Sequence, residues 1–126
     1  MDAETGKTAE PLTLICVDDD EHVRRSLKLL FENTPMKIIV CTSGIQALDA
    51  LESQDADIVI SDYLLPDMDG ISLLDRVRHH DCRIKRILMT TIVNDDIRLA
   101  AIRSGIDRFV EKPLTIASVD TIIGEL

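Results

Sequence analysis

No run of apolar residues in this 126-residue chain approaches the roughly 20 needed for a membrane-spanning helix. The opening, MDAETGKTAE, also lacks the apolar stretch of a secretory signal. The cytoplasm is therefore the expected setting. Cysteine is scarce: Cys16, Cys41 and Cys82 are odd in number, far apart and without metal-ligand spacing. They read as small buried hydrophobes in a reducing compartment. Basic charge is short as well. The formal net charge is −9, so phosphate backbones and anionic lipid would repel the chain, and neither nucleic acid nor membrane is an expected partner. There is no internal repeat, no low-complexity run and no room for a second domain.

What is present suits one compact unit. Apolar residues make up 45% of the chain and charged residues 29%. A chain of this size buries roughly two-thirds of its extended-chain surface, so folding needs no disulfide or structural metal. Residues 1–10 hold no large apolar residue after Met1 and read as a flexible tail, with the domain proper at 11–126.

Within 11–126, short apolar, β-branched runs occur at residues 12–17, 37–41, 57–61, 86–90 and 108–110. Their continuous apolarity predicts strands covered on both faces. Helical spacing fills the intervals. Val23, Leu27, Leu30 and Phe31 share one face, as do Ala47, Leu48 and Leu51 after a Ser43 N-cap. Ile71, Leu74 and Val77 form a third face, opened by Asp69-Gly70. Ile97, Ala100, Ala101 and Ser104 form a fourth, between an Asn94 cap and a Gly105 stop. Residues 114–126 make the weakest helix, with Ile116, Val119, Ile122 and Ile123 on one face. Five alternations of strand and helix predict an α/β fold: a parallel sheet with helices on both sides.

Ligands of such sheets bind beyond the carboxyl ends of the strands. The residues there are Asp18-Asp19-Asp20, Asp62, Thr90-Thr91 and Lys112-Pro113. Two carboxylates about 5 Å apart repel by roughly 3 kcal/mol at an effective dielectric near 20, and one lysine does not offset three of them. A hard divalent cation does. Mg²⁺ typically takes one or two carboxylates, waters and phosphate oxygens, which suits phosphoryl transfer to a carboxylate nucleophile. Asp20 reads instead as an N-cap, Asp67 and Asp69 as turn residues, and Arg83, Lys85 and Arg86 as a solvated loop. His22, His79 and His80 have no ligand spacing and read as surface residues.

These stretches carry a family resemblance over about residues 12–126. VDDDEHVRRSL, SDYLLPDMDG, RILMTT and GIDRFVEKPL resemble, in order, the motifs of a response-regulator receiver domain of the chemotaxis-regulator type. The resemblance implies a flavodoxin-like (βα)5 fold with strand order 2-1-3-4-5. It implies Asp62 as phosphoacceptor, Mg²⁺ held by Asp19, Asp62 and the Leu64 backbone carbonyl, and Asp18 acting through a bound water. Thr90 and Lys112 would contact the phosphoryl group, and Thr90 and Phe109 would switch the surface of the fourth helix, fifth strand and fifth helix. Lys112-Pro113 is expected to be cis. The implied partners are a sensor histidine kinase or histidine phosphotransfer protein, an output domain or partner protein, and a second copy as a homodimer. The implied role is signalling rather than enzymatic turnover. Thr91 stands where the family usually has a smaller residue. Leu64 and Ile92 offer no group to orient an attacking water, so a phosphoryl group on Asp62 is expected to hydrolyse slowly.

Three other functions compete. A Mg²⁺-dependent phosphatase of the haloacid-dehalogenase type has Asp-x-Asp after its first strand, but His22 stands where a small hydroxyl or Val is usual, and there is no cap domain. A pseudo-receiver would not need this full set of residues. A flavin-binding protein needs a hydroxyl- and Gly-rich phosphate loop where DDDEH stands, a sequence that repels phosphate unless metal intervenes.

Overall fold

The computed structural model describes residues 11–92 and 94–124. The expected tail at 1–10 and residues 125–126 lie outside these. The elements alternate without exception: β1 (Thr13–Val17), α1 (Glu21–Phe31), β2 (Lys37–Cys41), α2 (Gly44–Ser53), β3 (Ile58–Asp62), α3 (Gly70–His80), β4 (Lys85–Thr90), α4 (Asp95–Arg103), β5 (Arg108–Glu111) and α5 (Ile116–Gly124). All strand pairs are parallel and the order is β2-β1-β3-β4-β5, as expected.

Successive strand side chains point to opposite faces, so each strand feeds two cores. Ile15, Val17, Val59 and Leu88 meet Ala47, Leu51, Leu73, Leu74, Val77, Ile97 and Ala101 from α2, α3 and α4. Leu14, Cys16, Ile58, Ile60, Ile87 and Met89 meet Leu27 and Phe31 from α1 and Val119 and Ile122 from α5. Fully burying one such aliphatic side chain is worth about 1.5–3 kcal/mol. The sheet is therefore stabilised from both sides, which is why its strands read as unbroken apolar runs.

The helix ends follow the expected capping chemistry. Asp20 accepts from the His22 and Val23 N–H groups, Ser43 from Gln46, Asp69 from Ser72 and Asn94 from Ile97. Gly105 at φ +67° ends α4, with the Ile106 N–H returning to the Ala101 carbonyl. The Lys112-Pro113 bond is cis. His22, His79 and His80 are exposed.

Three expectations need correction. Cys16 and Cys41 are buried but Cys82 is exposed, because it lies in the turn between α3 and β4, which neither helix layer covers. Ile116 is 74% exposed; the buried face of α5 is Val119 and Ile122, and Ile116 falls outside it. Of the expected solvated loop only Arg83 is in an exposed turn. Lys85 opens β4 just ahead of the strand expected from residue 86, and Arg86 is buried rather than solvated. Its guanidinium donates to the carbonyls of Leu74, Ser104 and Gly105 at 3.2, 2.9 and 2.8 Å. It thereby binds α3 to the end of α4, with Asp75 3.8 Å away. A buried charge persists only when its donors are satisfied in this way.

Candidate functional site

Three strand ends converge at the carboxyl edge of the sheet. β1 hands the chain to Asp18, whose N–H donates to the Cys41 carbonyl on β2. β3 ends on Asp62 itself, one residue later than expected. β5 delivers Lys112, whose N–H donates to the Thr90 carbonyl at the end of β4. Carboxylate oxygens of Asp18, Asp19 and Asp62 all lie within 4.8 Å of one another, the one such group of potential metal ligands among the described residues.

Asp18 is fully buried and held at every polar atom. Its Oδ1 accepts from the Asp20 N–H at 2.8 Å and its Oδ2 from the Lys112 ammonium at 2.8 Å. Its carbonyl accepts from the Arg24 guanidinium at 2.9 Å. Asp62 Oδ1 accepts from the Tyr63 N–H, and its Oδ2 lies 3.3 Å from Lys112 Nζ. Burial works to lower the Lys112 pKa, but Asp18 and then Asp62 outweigh it and hold the ammonium above its usual value. The same neighbourhood pushes the Asp62 carboxyl up, first through burial and then through the charge of Asp18.

The site thus keeps a surplus of negative charge after its lysine is counted. Three carboxylates are an all-oxygen donor set of the kind a hard divalent cation selects, so the residues present fit Mg²⁺. Asp20 is not part of it, since its carboxylate caps α1. That leaves the superficial Asp-x-Asp match without its second acid.

Thr90 is buried at the same edge. Asp62 registers with Met89, so Thr90 stands one residue further along the neighbouring strand. Its hydroxyl oxygen accepts from the Ile92 N–H at 3.0 Å. Leu64 is 57% exposed, and its backbone bridges to Asp69 across the loop after β3. Thr91 is exposed and Ile92 half-buried. Phe109 lies on β5. It is half-buried against the core under α4, with the Arg98 guanidinium 5.0 Å from its ring centroid.

Four residues make supporting contacts that the sequence reading did not give. Arg24 is the first, and its position one turn into α1 was the only hint. The Ser61 hydroxyl donates to the Asp62 carbonyl at 2.8 Å. Gly70 lies so close to that same carbonyl oxygen that a Cβ there would overlap it. Asp67 is not a self-contained turn residue. Its carboxylate accepts from the Gly44 and Ile45 N–H groups of α2, each at 2.9 Å.

A family model described as the response regulator receiver domain matches residues 14–123. Regulatory protein AtoC of Escherichia coli is 31% identical over 110 residues, covering 87% of this chain and 24% of its own length. Response regulator Rre1 of Synechocystis is 29% identical over 122 residues, covering 94% of this chain and 52% of its own. The chain thus spans between a quarter and about half of these relatives. Among solved structures it is similar to the signal receiver domain of an HD domain-containing protein from Pseudomonas fluorescens, at TM-score 0.86 and 29% identity, over 92% of this chain and 86% of that one. No helix among the described residues is long and apolar enough to cross a membrane.

Proposed function

The chain belongs to the response-regulator receiver domain family of two-component signalling, and from that premise we propose that Asp62 accepts a phosphoryl group from a histidine kinase or histidine phosphotransfer protein. The observation that carries this reading is the meeting of Asp18, Asp19 and Asp62 within 4.8 Å, with Lys112 reaching both Asp18 and Asp62.

Asp19, Asp62 and the Leu64 carbonyl would hold Mg²⁺ directly, with Asp18 acting through water. Bound there, the metal supplies positive charge that offsets the charge on the phosphoryl oxygens. Asp62 Oδ2 attacks phosphorus as the bond to the donor imidazole nitrogen breaks. The nitrogen keeps the electron pair, and an acyl phosphate forms on Asp62. Lys112 pairs with the new phosphoryl group, and the Thr90 hydroxyl donates to one of its oxygens. Thr90 then leaves its resting position and Phe109 turns inward, which reshapes the face of α4, β5 and α5. That face would control an output domain or partner and could seat a second copy of the chain. The setting would be the cytoplasm, where the kinase donates.

Intact-protein mass after incubation with acetyl phosphate and Mg²⁺ tests the proposal. A gain of about 80 Da, one phosphoryl group, is expected, and it is lost in Asp62→Ala and with EDTA. A gain that survives in Asp62→Ala would move the acceptor elsewhere. With Thr91, Leu64 and Ile92 around the site, the phosphoryl group is expected to last well beyond a minute. Decay within seconds in Mg²⁺ would refute that part.

A further inference from the structure

The first turn of a helix has N–H groups with no partner inside the helix. In α2 they are accounted for one by one. The Gln46 N–H goes to the Ser43 hydroxyl, as a local cap should. The Gly44 and Ile45 N–H groups go to Oδ1 and Oδ2 of Asp67, more than twenty positions later in the sequence. One carboxylate thus serves two donors and meets the positive end of the α2 dipole. These N–H groups, Ile45 first, hold its pKa below the usual carboxylate range. Met68 adds a second tie. It lies against Gly44 so closely that a Cβ there would come within 2.5 Å of its sulfur.

The loop held this way is the one that leaves Asp62. Its near end is fastened by the Gly70 N–H on the Tyr63 carbonyl, at 2.6 Å, and by the close approach of Gly70 to the Asp62 carbonyl. Leu64 and Asp69 bridge its middle. All of these contacts are internal to residues 62–70. The Asp67 carboxylate and the Met68 side chain carry the distal half of the loop to a different element, the start of α2.

We infer that Asp67 is a positioning residue for the Mg²⁺ site: by clamping residues 63–69 to the N-terminus of α2, it fixes Asp62 and the Leu64 carbonyl where a cation can use both. The inference rests on the receiver reading of the acids but adds a residue outside them. Asp67 touches none of the site's carboxylates through any bond seen here.

The test is calorimetric titration of the unphosphorylated protein with MgCl₂, beside urea unfolding, for the natural protein and for Asp67→Ala, Asp67→Asn and Ser43→Ala. Ser43→Ala removes an N-cap of the same helix without touching the loop, so it separates loss of α2 stability from loss of the clamp. Asp67→Ala is expected to raise the Mg²⁺ Kd by about tenfold, the low end of the roughly 10- to 100-fold loss typical of outer-shell partners. Asp67→Asn keeps an acceptor and should fall between, and it carries the test if the alanine variant does not fold. Ser43→Ala should lower the urea midpoint and leave the Kd unchanged. Unchanged Mg²⁺ affinity in both Asp67 variants would overturn the inference. So would an equal loss in Ser43→Ala. If the natural protein itself bound no Mg²⁺, the metal reading of Asp18, Asp19 and Asp62 would fall first and take this inference with it, an outcome visible before any variant is made.

Discussion

Lys112 Nζ lies 2.8 Å from Asp18 Oδ2, a pair joined across 94 positions and held with the carboxylate fully buried. Lys112→Met would leave that carboxylate without its cation and beside Asp62. A loss of about 2 kcal/mol is expected, within the roughly 1.5–3 kcal/mol of hydrogen bonds to charged groups. It should be read as a lower urea midpoint at unchanged slope. Excess Mg²⁺ should restore part of it, because the cation supplies the missing positive charge. A variant as stable as the natural protein without Mg²⁺ would show that Asp18 does not depend on Lys112.

Gly70 sits against the Asp62 carbonyl with no space for a Cβ. Gly70→Ala must push α3 from β3 or bend the loop between them. Overpacking of this kind costs about 1–3 kcal/mol, although alanine is the better helix former. Phosphorylation by acetyl phosphate should slow in the same variant, since the displaced backbone carries Asp62. Urea unfolding and the mass assay check the two effects separately.

The Asp62 carboxyl is raised by burial and by the charge of Asp18, with Lys112 and the Tyr63 N–H offsetting only part. A carboxyl whose folded pKa exceeds its unfolded value binds its proton more tightly in the native state. Its ionisation therefore costs stability as pH rises through the raised value. Without Mg²⁺, Asp62→Asn should be more stable than the natural protein at pH 7. The gap should close as pH falls below the ordinary carboxyl value near roughly 3.9. Mg²⁺ at 100 times its Kd should reverse the ranking, since binding at that ratio stabilises by about 2.7 kcal/mol and the asparagine variant loses a ligand. Thermal unfolding from about pH 3, below the ordinary carboxyl value, to about pH 8 measures this. An asparagine variant less stable at pH 7 without metal would contradict it.

Arg86 satisfies three carbonyls from inside the protein. Arg86→Met keeps the length of the side chain but leaves the Leu74, Ser104 and Gly105 oxygens short of a donor. Leu74 is buried, while Ser104 is half-buried and Gly105 exposed, so water can replace the guanidinium at the latter two. A total loss of about 2 kcal/mol is expected, within the roughly 1–3 kcal/mol of one unsatisfied buried group. Arg86→Lys should recover less than half, because an ammonium cannot reproduce the planar fork. Hydrogen exchange of the amides after α4 should quicken in both variants.

One thiol of the three should react with a disulfide reagent in the native state. Cys82 is exposed, while Cys16 and Cys41 are buried and burial raises both of their pKa values. The thiolate is the reactive form. Cys82→Ser should abolish the native reaction, and denaturant should release the other two thiols.

The alternation of five strands and five helices was legible because each element states itself locally. Val23, Leu27 and Phe31 repeat at helical spacing, and β3 is apolar from Ile58 to Ile60 because both of its faces are covered. The caps at Asp20, Ser43 and Asn94 were legible for the same reason, since each reaches only two or three residues ahead. The acids, Thr90 and Lys112 were found because the ends of parallel strands share one edge, so the order of the chain already implied a meeting place.

What the sequence determined by itself is therefore the set of elements, their faces and the chemistry at the strand ends. Only the tertiary structure decided which partners the ambiguous polar residues take. A carboxylate such as Asp67 looks the same in sequence whether it closes its own turn or caps α2, because a hydrogen bond depends on separation in space. The same holds for Arg86, which reads as a surface cation until α3 and the end of α4 present three carbonyls to it. Ile116 and Cys82 make the converse case: apolar in character, they stay at the surface because no neighbouring element covers them.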